Sequence, residues 1–403
     1  MSPPAKPIVD EPVPLPPRWG AAELERLTAM VTQPSLFYWK GPQTTALLEE
    51  FRRHYPLKYA FPCSSGTASL HIAVAALRLR PGDEVIVAPI TDMGSVIGIL
   101  YQQGVPVFAD LHPHTYNLDP ASVRRAITAK TRAIMAVHLA GNPCDLTALS
   151  ALAKEHNLIL IEDCAQSWGA QHRGTSVGLV GDFGCYSFND FKHIACGDGG
   201  IVATNSETHG PSLSKWGDKS YDRVTGGRDV EELAPNYRIS EPQSAVAAAQ
   251  LTKLNDIVAR RHHAGEFLTA KLSGTPGLQL PAVAPGDFHS YWFYLLRLEL
   301  PRFSVPRAGL VAALQTEGVA AGAGYIPRPV YRYPVFQNHN FFGGAWPVRD
   351  FGLTQMDYRS VSCPVAEAIL EDCIVLKITE GMSDPYLEKV ARAITTVAKR
   401  LER

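Results

Sequence analysis

The sequence predicts an α/β domain on a mainly parallel sheet, followed by a smaller α+β domain. Three observations carry this. From Phe61 onward, short apolar runs alternate with longer stretches whose apolar residues recur at helical spacing. The short runs are continuous rather than alternating, as strands are when helices cover both sheet faces. After the break "SGTPG", Ser273 to Gly277, the alternation stops and a different mix of elements begins.

Taken in order, "SSGTASLHIAVAALRL" opens on a serine–glycine–threonine turn and continues as a helix. "PGDEVIVAP" is a turn and a buried strand, and "SVIGILYQQG" a helix ended by Gly104. "VPVFAD" is a strand, "DPASVRRAIT" a capped helix and "RAIMAVHLAG" a strand. "DLTALSALAKEHN" is a helix, "LILIED" a strand, and "DFGCYSF" and "GGIVATN" two further strands. Ser240 to Leu272 reads as one long alanine-rich helical stretch. The second part contributes the strand "SYWFYLLRLEL", the helix "RAGLVAALQTEG" and a last helix near Asp384 to Leu401. Tyr325 to Arg349, rich in Pro, Tyr, Phe and Gly, reads as a long loop. The expected division is residues 1–36 as a proline-rich arm with a first helix, 37–272 as the large domain and 273–403 as the small one. The prolines of "MSPPAKPIVDEPVPLPP" favour an extended, poorly packed arm.

The totals exclude several classes. Lys and Arg number 38 against 39 Asp and Glu, so no basic excess invites nucleic acid. The seven cysteines are odd in number and form no C-x-x-C, which indicates neither a disulfide framework nor a zinc site. A reducing cytoplasm fits. The N-terminus lacks the apolar core of a signal peptide. The longest uncharged apolar stretch, Met93 to Ala109, is broken by Gly104, Pro106 and two glutamines, so no membrane span is expected.

Ligands of an open α/β sheet sit at the carboxyl ends of its strands. Three features gather there. The turn at Gly66–Thr67 offers free N–H groups and a hydroxyl to a phosphate, or is an ordinary helix cap. Asp163 ends an apolar strand, either as a buried carboxylate needing a positive partner or as a capping residue. Lys192 stands alone among small and apolar residues in "SFNDFKHIACGDGG", with Ser187 five positions before it. A dry lysine loses its proton readily and can attack a carbonyl; the alternative is a snorkelling surface side chain. A phosphate seat, a buried acid and a dry lysine together describe a pyridoxal phosphate pocket.

With "SSGTASL", "PGDEVIVAPIT", "YNLDP", "VHLAG", "IEDCAQSWGA", "SFNDFKHIACGDGG" and "NYRISEPQSAVAAAQL" in this order, the chain resembles the DegT/DnrJ/EryC1/StrS sugar aminotransferases from about Phe37 onward. The resemblance implies fold type I, like aspartate aminotransferase, with a seven-stranded type of sheet and the cofactor pyridoxal 5′-phosphate, alternating with its pyridoxamine form. Lys192 would form the internal aldimine and shuttle the proton. Asp163 would pair with the pyridine nitrogen and Gln166 with the phenolic oxygen. Gly66, Thr67, Ala68 and Ser187 would hold the phosphate, joined by Asn236 from a second subunit of a homodimer with shared active sites. Arg238 is a candidate for an anionic part of donor or acceptor, and His138 and Tyr325 are candidate substrate residues. His138 and the neighbouring His193 also read as structural histidines. Lys215, Lys219, Arg223 and Arg228 read as a solvated loop, or as partners for a diphosphate or carboxylate.

One position departs from the family pattern. An aromatic residue often follows the threonine of P-x-T and stacks on the cofactor ring, whereas "PITDMG" places Asp92 there. Either Met93 covers the ring, or Asp92 contacts a polar substrate, or Asp92 caps the following helix. The implied activity moves an amino group from glutamate or glutamine to a keto-sugar or keto-cyclitol, in a natural-product or glycan pathway. The "FYWKG" and "CPVAEAI" segments lean towards the cyclitol and aminobenzoate branch. A dehydratase of the same fold would replace the lysine, and Lys192 is intact. A non-catalytic cofactor-binding regulator is the remaining alternative. A nicotinamide oxidoreductase lacks its glycine fingerprint.

Overall fold

The strands of the large sheet are short, largely apolar runs, and after each of the first four the chain returns along a helix. The computed structural model describes residues 6–403. The strands are β1 (Tyr59–Cys63), β2 (Glu84–Val87), β3 (Val105–Phe108), β4 (Thr131–Val137) and β5 (Ile159–Asp163). A small hairpin, β6 (Gln171–His172) and β7 (Thr175–Ser176), precedes β8 (Phe183–Ser187) and β9 (Gly200–Thr204). The seven-stranded sheet runs in the order β1-β9-β8-β5-β4-β2-β3. Only β9 is antiparallel to its neighbours, β8 and β1. The expected mainly parallel seven-stranded sheet is present.

Helices α1 (Ala21–Val31) and α2 (Pro42–His54) precede the sheet, and α3 (Gly66–Ala76), α4 (Gly94–Tyr101), α5 (Pro120–Ala126) and α6 (Leu146–His156) connect its strands. Nearly all of α3 is buried. That explains why its sequence is apolar around its whole circumference, since it packs between the sheet and α4. Asp119 and Asp145 cap α5 and α6 with side-chain acceptors, and Asn157 ends α6 in the left-handed conformation.

The long stretch from Ser240 to Leu272 is corrected by the structure. After the short α7 (Leu213–Gly217), it forms two helices, α8 (Glu241–Leu251) and α9 (Leu254–Leu272). At the break the Thr252 hydroxyl donates to the Ala249 carbonyl at 2.7 Å and the Lys253 N–H to the Gln250 carbonyl at 3.0 Å, which tightens the last turn of α8.

The second sheet has four antiparallel strands, β10 (Leu278–Gln279), β11 (Phe293–Leu298), β12 (Ala321–Gly322) and β13 (Cys373–Lys377), ordered β10-β11-β13-β12. Its core joins Leu296, Leu310 and Ile374 to Leu268 and to the helix Asp384–Leu401. The segment from Tyr325 to Arg349 is not a plain loop. It contains short helical turns, and Tyr331, Phe336 and Trp346 bury against the large sheet beside Phe108 and Tyr358.

From residue 6 onward the N-terminal arm is extended yet tied down, contrary to a poorly packed segment; residues 1–5 of the expected arm lie outside the described residues. The Val9 N–H donates to the Glu317 carbonyl at 2.9 Å, and the Thr379 hydroxyl donates to the Pro14 carbonyl at 2.6 Å. Prolines set the extended path, and hydrogen bonds to their carbonyls fix it. Among the described residues no helix is long and apolar enough to cross a membrane.

Candidate active site

Four loops leave the carboxyl ends of β2, β4, β5 and β8 on one edge of the sheet, where an open α/β fold binds ligands. Between these loops and the start of α3 lies a cavity of about 210 Å³. Gly66, Thr67, Asp92, Asp163, Gln166, Ser187 and Lys192 line it together, although they come from four separate stretches of sequence. A larger apolar groove of about 590 Å³, bordered by Tyr38, Trp39, Tyr59 and Phe61, contains no carboxylate and lies away from this cluster.

Asp163 is buried at the end of β5. Burial raises its pKa, while the Ser95 hydroxyl (2.8 Å), the Ala165 N–H (3.1 Å) and the charge of Lys192 oppose that rise. Ser95 in turn meets the Thr91 hydroxyl at 2.6 Å. The carboxylate is therefore aimed by α4 and the turn after β5.

Lys192 is half-buried and lines the same cavity. Burial pulls its ammonium down to about 8, with the Asp163 and Asp92 carboxylates opposing. Its Nζ rests over the indole of Trp292, 3.8 Å from the ring centroid.

The α3 end is shaped for close approach. A Cβ on Gly66 would lie 2.6 Å from the Ser187 Cβ, and one on Gly94 2.7 Å from the Thr67 Oγ1, so both glycines keep this corner open. Ser65 is the N-cap, and its hydroxyl accepts the Ala68 N–H at 3.0 Å. Ala68 is buried and is not among the cavity's lining residues; its N–H serves the cap.

Gln166 is fixed at both ends. Its Oε1 accepts the Ala140 N–H at 2.9 Å, and its Nε2 donates to the Tyr325 hydroxyl at 3.2 Å. Ala140 has a φ of 61°, a left-handed conformation that a non-glycine residue adopts at some cost. Tyr325 thereby borders the site through Gln166.

Of the other expected residues, all but Asp92 lie outside this cavity. His138 is fully buried; its Nδ1 accepts the Cys144 N–H at 3.0 Å and its Nε2 faces Glu162 at 3.1 Å. With Cys164 these two form a compact group of potential metal ligands. Glu162, however, already accepts the N–H groups of Gly178, Val180 and Gly181, and burial pushes the Cys164 thiol up to about 12. The group reads as a saturated buried network rather than a metal cage. Arg238 pairs with the buried Asp218 at 2.7 Å, as does Arg223 at 2.5 Å, and both guanidinium groups lie over the exposed Phe37 ring. Asn236 is exposed and bridges in backbone register to Asp218. Asp92 is exposed at the cavity, and its Oδ1 accepts the Gly94 N–H at 2.8 Å, so it borders the site and stabilises the start of α4 together. His193 is fully buried and its Nε2 meets the Ser290 carbonyl at 3.0 Å. Lys215 pairs with Asp222 at 3.7 Å, and Lys219, Arg223 and Arg228 surround Tyr221.

Three contributors were not anticipated. Ser95 sits one turn after Thr91 in an apolar helix, and nothing in its neighbours shows that it faces Asp163. Trp292 opens an apolar strand and reads as core. Arg18 lies in the proline-rich arm, more than 170 positions from the lysine turn it touches.

Residues 19–395 match the profile of the DegT/DnrJ/EryC1/StrS aminotransferase family. The chain is 35% identical to the GDP-perosamine synthase of Vibrio cholerae over 324 residues, which covers 80% of this chain and 85% of that protein. It is 33% identical to a putative L-glutamine:3-amino-2,3-dideoxy-scyllo-inosose aminotransferase of Streptoalloteichus tenebrarius over 412 residues, 98% of this chain and 97% of the relative. Among solved structures, the aminotransferase from Psychrobacter cryohalolentis matches with a TM-score of 0.84 at 27% identity, covering 96% of this chain and 98% of that one.

Proposed function

The chain belongs to the DegT/DnrJ/EryC1/StrS aminotransferase family, and from that premise we propose that the cavity between Asp163 and Lys192 is its transamination site. The protein is a pyridoxal-phosphate-dependent aminotransferase of sugar or natural-product chemistry. The observation that carries the site assignment is the convergence of Lys192, Asp163, Gln166, Ser187 and the Gly66 turn on one small cavity.

The residues present fit the cofactor. Gly66 leaves a cradle that a single Cβ would fill, at the positive end of a helix, which suits a phosphate. The same cavity holds a buried carboxylate whose raised pKa a cationic ring nitrogen would relieve. The cavity is also lined by a lysine of lowered pKa. Gly66, Thr67 and Ser187 would hold the phosphate, with Ala68 contributing through the helix end. Gln166 would meet the phenolic oxygen, and Asp163 the pyridine nitrogen. When bound, the cofactor supplies an electron sink for moving an amino group between carbons.

The chain's own residues do the rest. At a pKa of about 8, roughly a tenth of Lys192 is free amine at pH 7, so its Nζ can take and return a proton. Ser95 and the Ala165 N–H fix the orientation of Asp163 and favour its charged form against the burial that raises its pKa. Gln166 is locked by Ala140 and Tyr325, so its amide needs no reorganisation.

The donor is glutamate or glutamine, and the acceptor a keto-sugar or keto-cyclitol in a natural-product or glycan pathway, in two successive half reactions. Relatives named for a GDP-sugar and for a cyclitol support both acceptor classes. The same reading makes the enzyme a cytoplasmic homodimer, in which the exposed Asn236 serves the cavity of a second copy. Arg238 and Asp92 face the substrate side, and His138 supports the strand end from behind. It also divides the chain into residues 1–36, a cofactor-binding unit 37–272 and a small unit 273–403.

The test is an absorption spectrum of the purified, cofactor-loaded protein before and after adding glutamate or glutamine, beside Lys192→Ala. One donor is expected to convert the lysine-linked cofactor band into that of the amine form, and adding ketocyclitols or keto-sugar nucleotides should reverse it. A loaded protein that no donor discharges contradicts the transaminase reading.

A further inference from the structure

We propose that Arg18 and Trp292 are positioning residues for Lys192, clamping the turn that carries it from two distant parts of the chain. This rests on the reading of Lys192 as the working lysine.

The observation is a run of three consecutive carbonyls held from outside the turn. The Arg18 guanidinium donates to the Asp190 carbonyl through one terminal nitrogen and to the Lys192 carbonyl through the other. Between them, the Trp292 indole N–H donates to the Phe191 carbonyl at 2.7 Å. The same indole places its face against the Lys192 ammonium, 3.8 Å from centroid to Nζ. On the next residue, His193 meets the Ser290 carbonyl, two positions before Trp292. Within the turn itself the Lys192 N–H donates to the Asn189 carbonyl.

Each clamp is itself fixed. The Arg18 carbonyl accepts from the Gln250 amide at 2.8 Å and from the Lys253 ammonium at 3.2 Å, both near the end of α8. The Trp292 backbone N–H donates to the Ala140 carbonyl at 2.7 Å, so the residue shares the turn that orients Gln166. The Tyr325 ring stands edge-on to it at 5.6 Å.

A lysine side chain is long and flexible, so the aim of Nζ depends on where its turn sits. A short glycine-flanked turn has few backbone partners of its own. Arg spans two carbonyls with its planar fork, which a single-point ammonium does not. The clamp thus fixes the lysine relative to Gln166 and Asp163 and makes the N-terminal arm part of the active site. Misplacing a reacting group by about 1 Å costs on the order of a hundredfold in rate, so loosening the turn should show in catalysis before binding.

The test uses Arg18→Met, Trp292→Leu and Trp292→Phe, the last keeping a ring face while losing the N–H donor, together with Arg18→Lys as partial rescue. Amide hydrogen exchange of residues 188–196 is measured in the cofactor-free full-length protein. Exchange there is expected to quicken by about tenfold or more in Arg18→Met and Trp292→Leu, with Trp292→Phe between them and wild type, and the rest of the chain unchanged. In the loaded enzyme kcat should fall by about tenfold while KM for the amino donor moves less than about twofold, with Arg18→Lys recovering part of the loss. Exchange within about twofold of wild type in Arg18→Met and Trp292→Phe overturns the proposal, and so does faster exchange spread over the whole chain. Should Trp292→Leu fail to fold, the other two variants decide. A wild-type enzyme that no donor discharges defeats the functional reading, and the exchange result still decides the clamp.

Discussion

At Asp163 burial and hydrogen bonding act in opposite directions, and Ser95 stands on the side of the charged form. Removing that donor should weaken cofactor retention. For Ser95→Ala a loss of about 1.5 kcal/mol, roughly tenfold in cofactor dissociation constant, is expected with little change in fold stability, measured by absorbance titration. Lys192 carries a pH prediction. Its folded pKa is depressed from 10.5 to about 8, and only the neutral amine attacks a carbonyl. Cofactor capture by the cofactor-free protein should therefore speed up as pH rises and level off above about 8, rather than near 10.5, in stopped-flow absorbance. Asp92→Ala should change kcat or KM for the acceptor more than cofactor retention, because Asp92 is exposed at the cavity; unchanged kinetics would leave it only its bond to Gly94. Asp163, Gln166, Ser187 and Lys192 were legible in sequence because each sits at a strand end or in a motif whose neighbours restrict its place. Ser95, Trp292 and Arg18 were not, because their roles arise from partners 68, 101 and 172 or more positions away.

The start of α3 shows what an element contributes beyond its residues. Its apolar surface buries it between sheet and α4, and this pins the N-terminus against β8. Gly66 is needed there for space, not for an unusual backbone angle, since a Cβ would overlap the Ser187 side chain. Gly66→Ala should cost about 1–3 kcal/mol of stability through overpacking and weaken cofactor binding at least about tenfold, read by thermal melts and by titration. Alternating strands and helices were plain in the sequence, because a buried parallel strand admits little but apolar residues. The division of α8 from α9 was not, because neither Gly nor Pro marks it and alanine-rich periodicity continues across Thr252–Lys253. The same limit applies to Tyr325–Arg349, whose prolines and glycines look like loop although its aromatic residues complete the core under the large sheet.

For the molecule as a whole, the arm joins regions that the chain order keeps apart. It is bonded to Glu317 and Thr379 at one end and, through Arg18, to the lysine turn and α8 at the other. Composition suggested only an extended segment, since hydrogen bonds to its backbone leave no mark in the sequence. The proposed homodimer predicts a sedimentation mass of two 43.9 kDa chains, and a mixture of Asn236→Ala with Lys192→Ala protein should regain part of the activity each lacks, if subunits exchange and each cavity borrows Asn236 from its neighbour. The most direct test of Lys192 as the cofactor's tether is borohydride reduction of the cofactor-loaded protein followed by peptide mass spectrometry. A pyridoxyl phosphate adduct is expected on the peptide containing Lys192 and on no other lysine. An adduct elsewhere, or none on that peptide, would contradict that role.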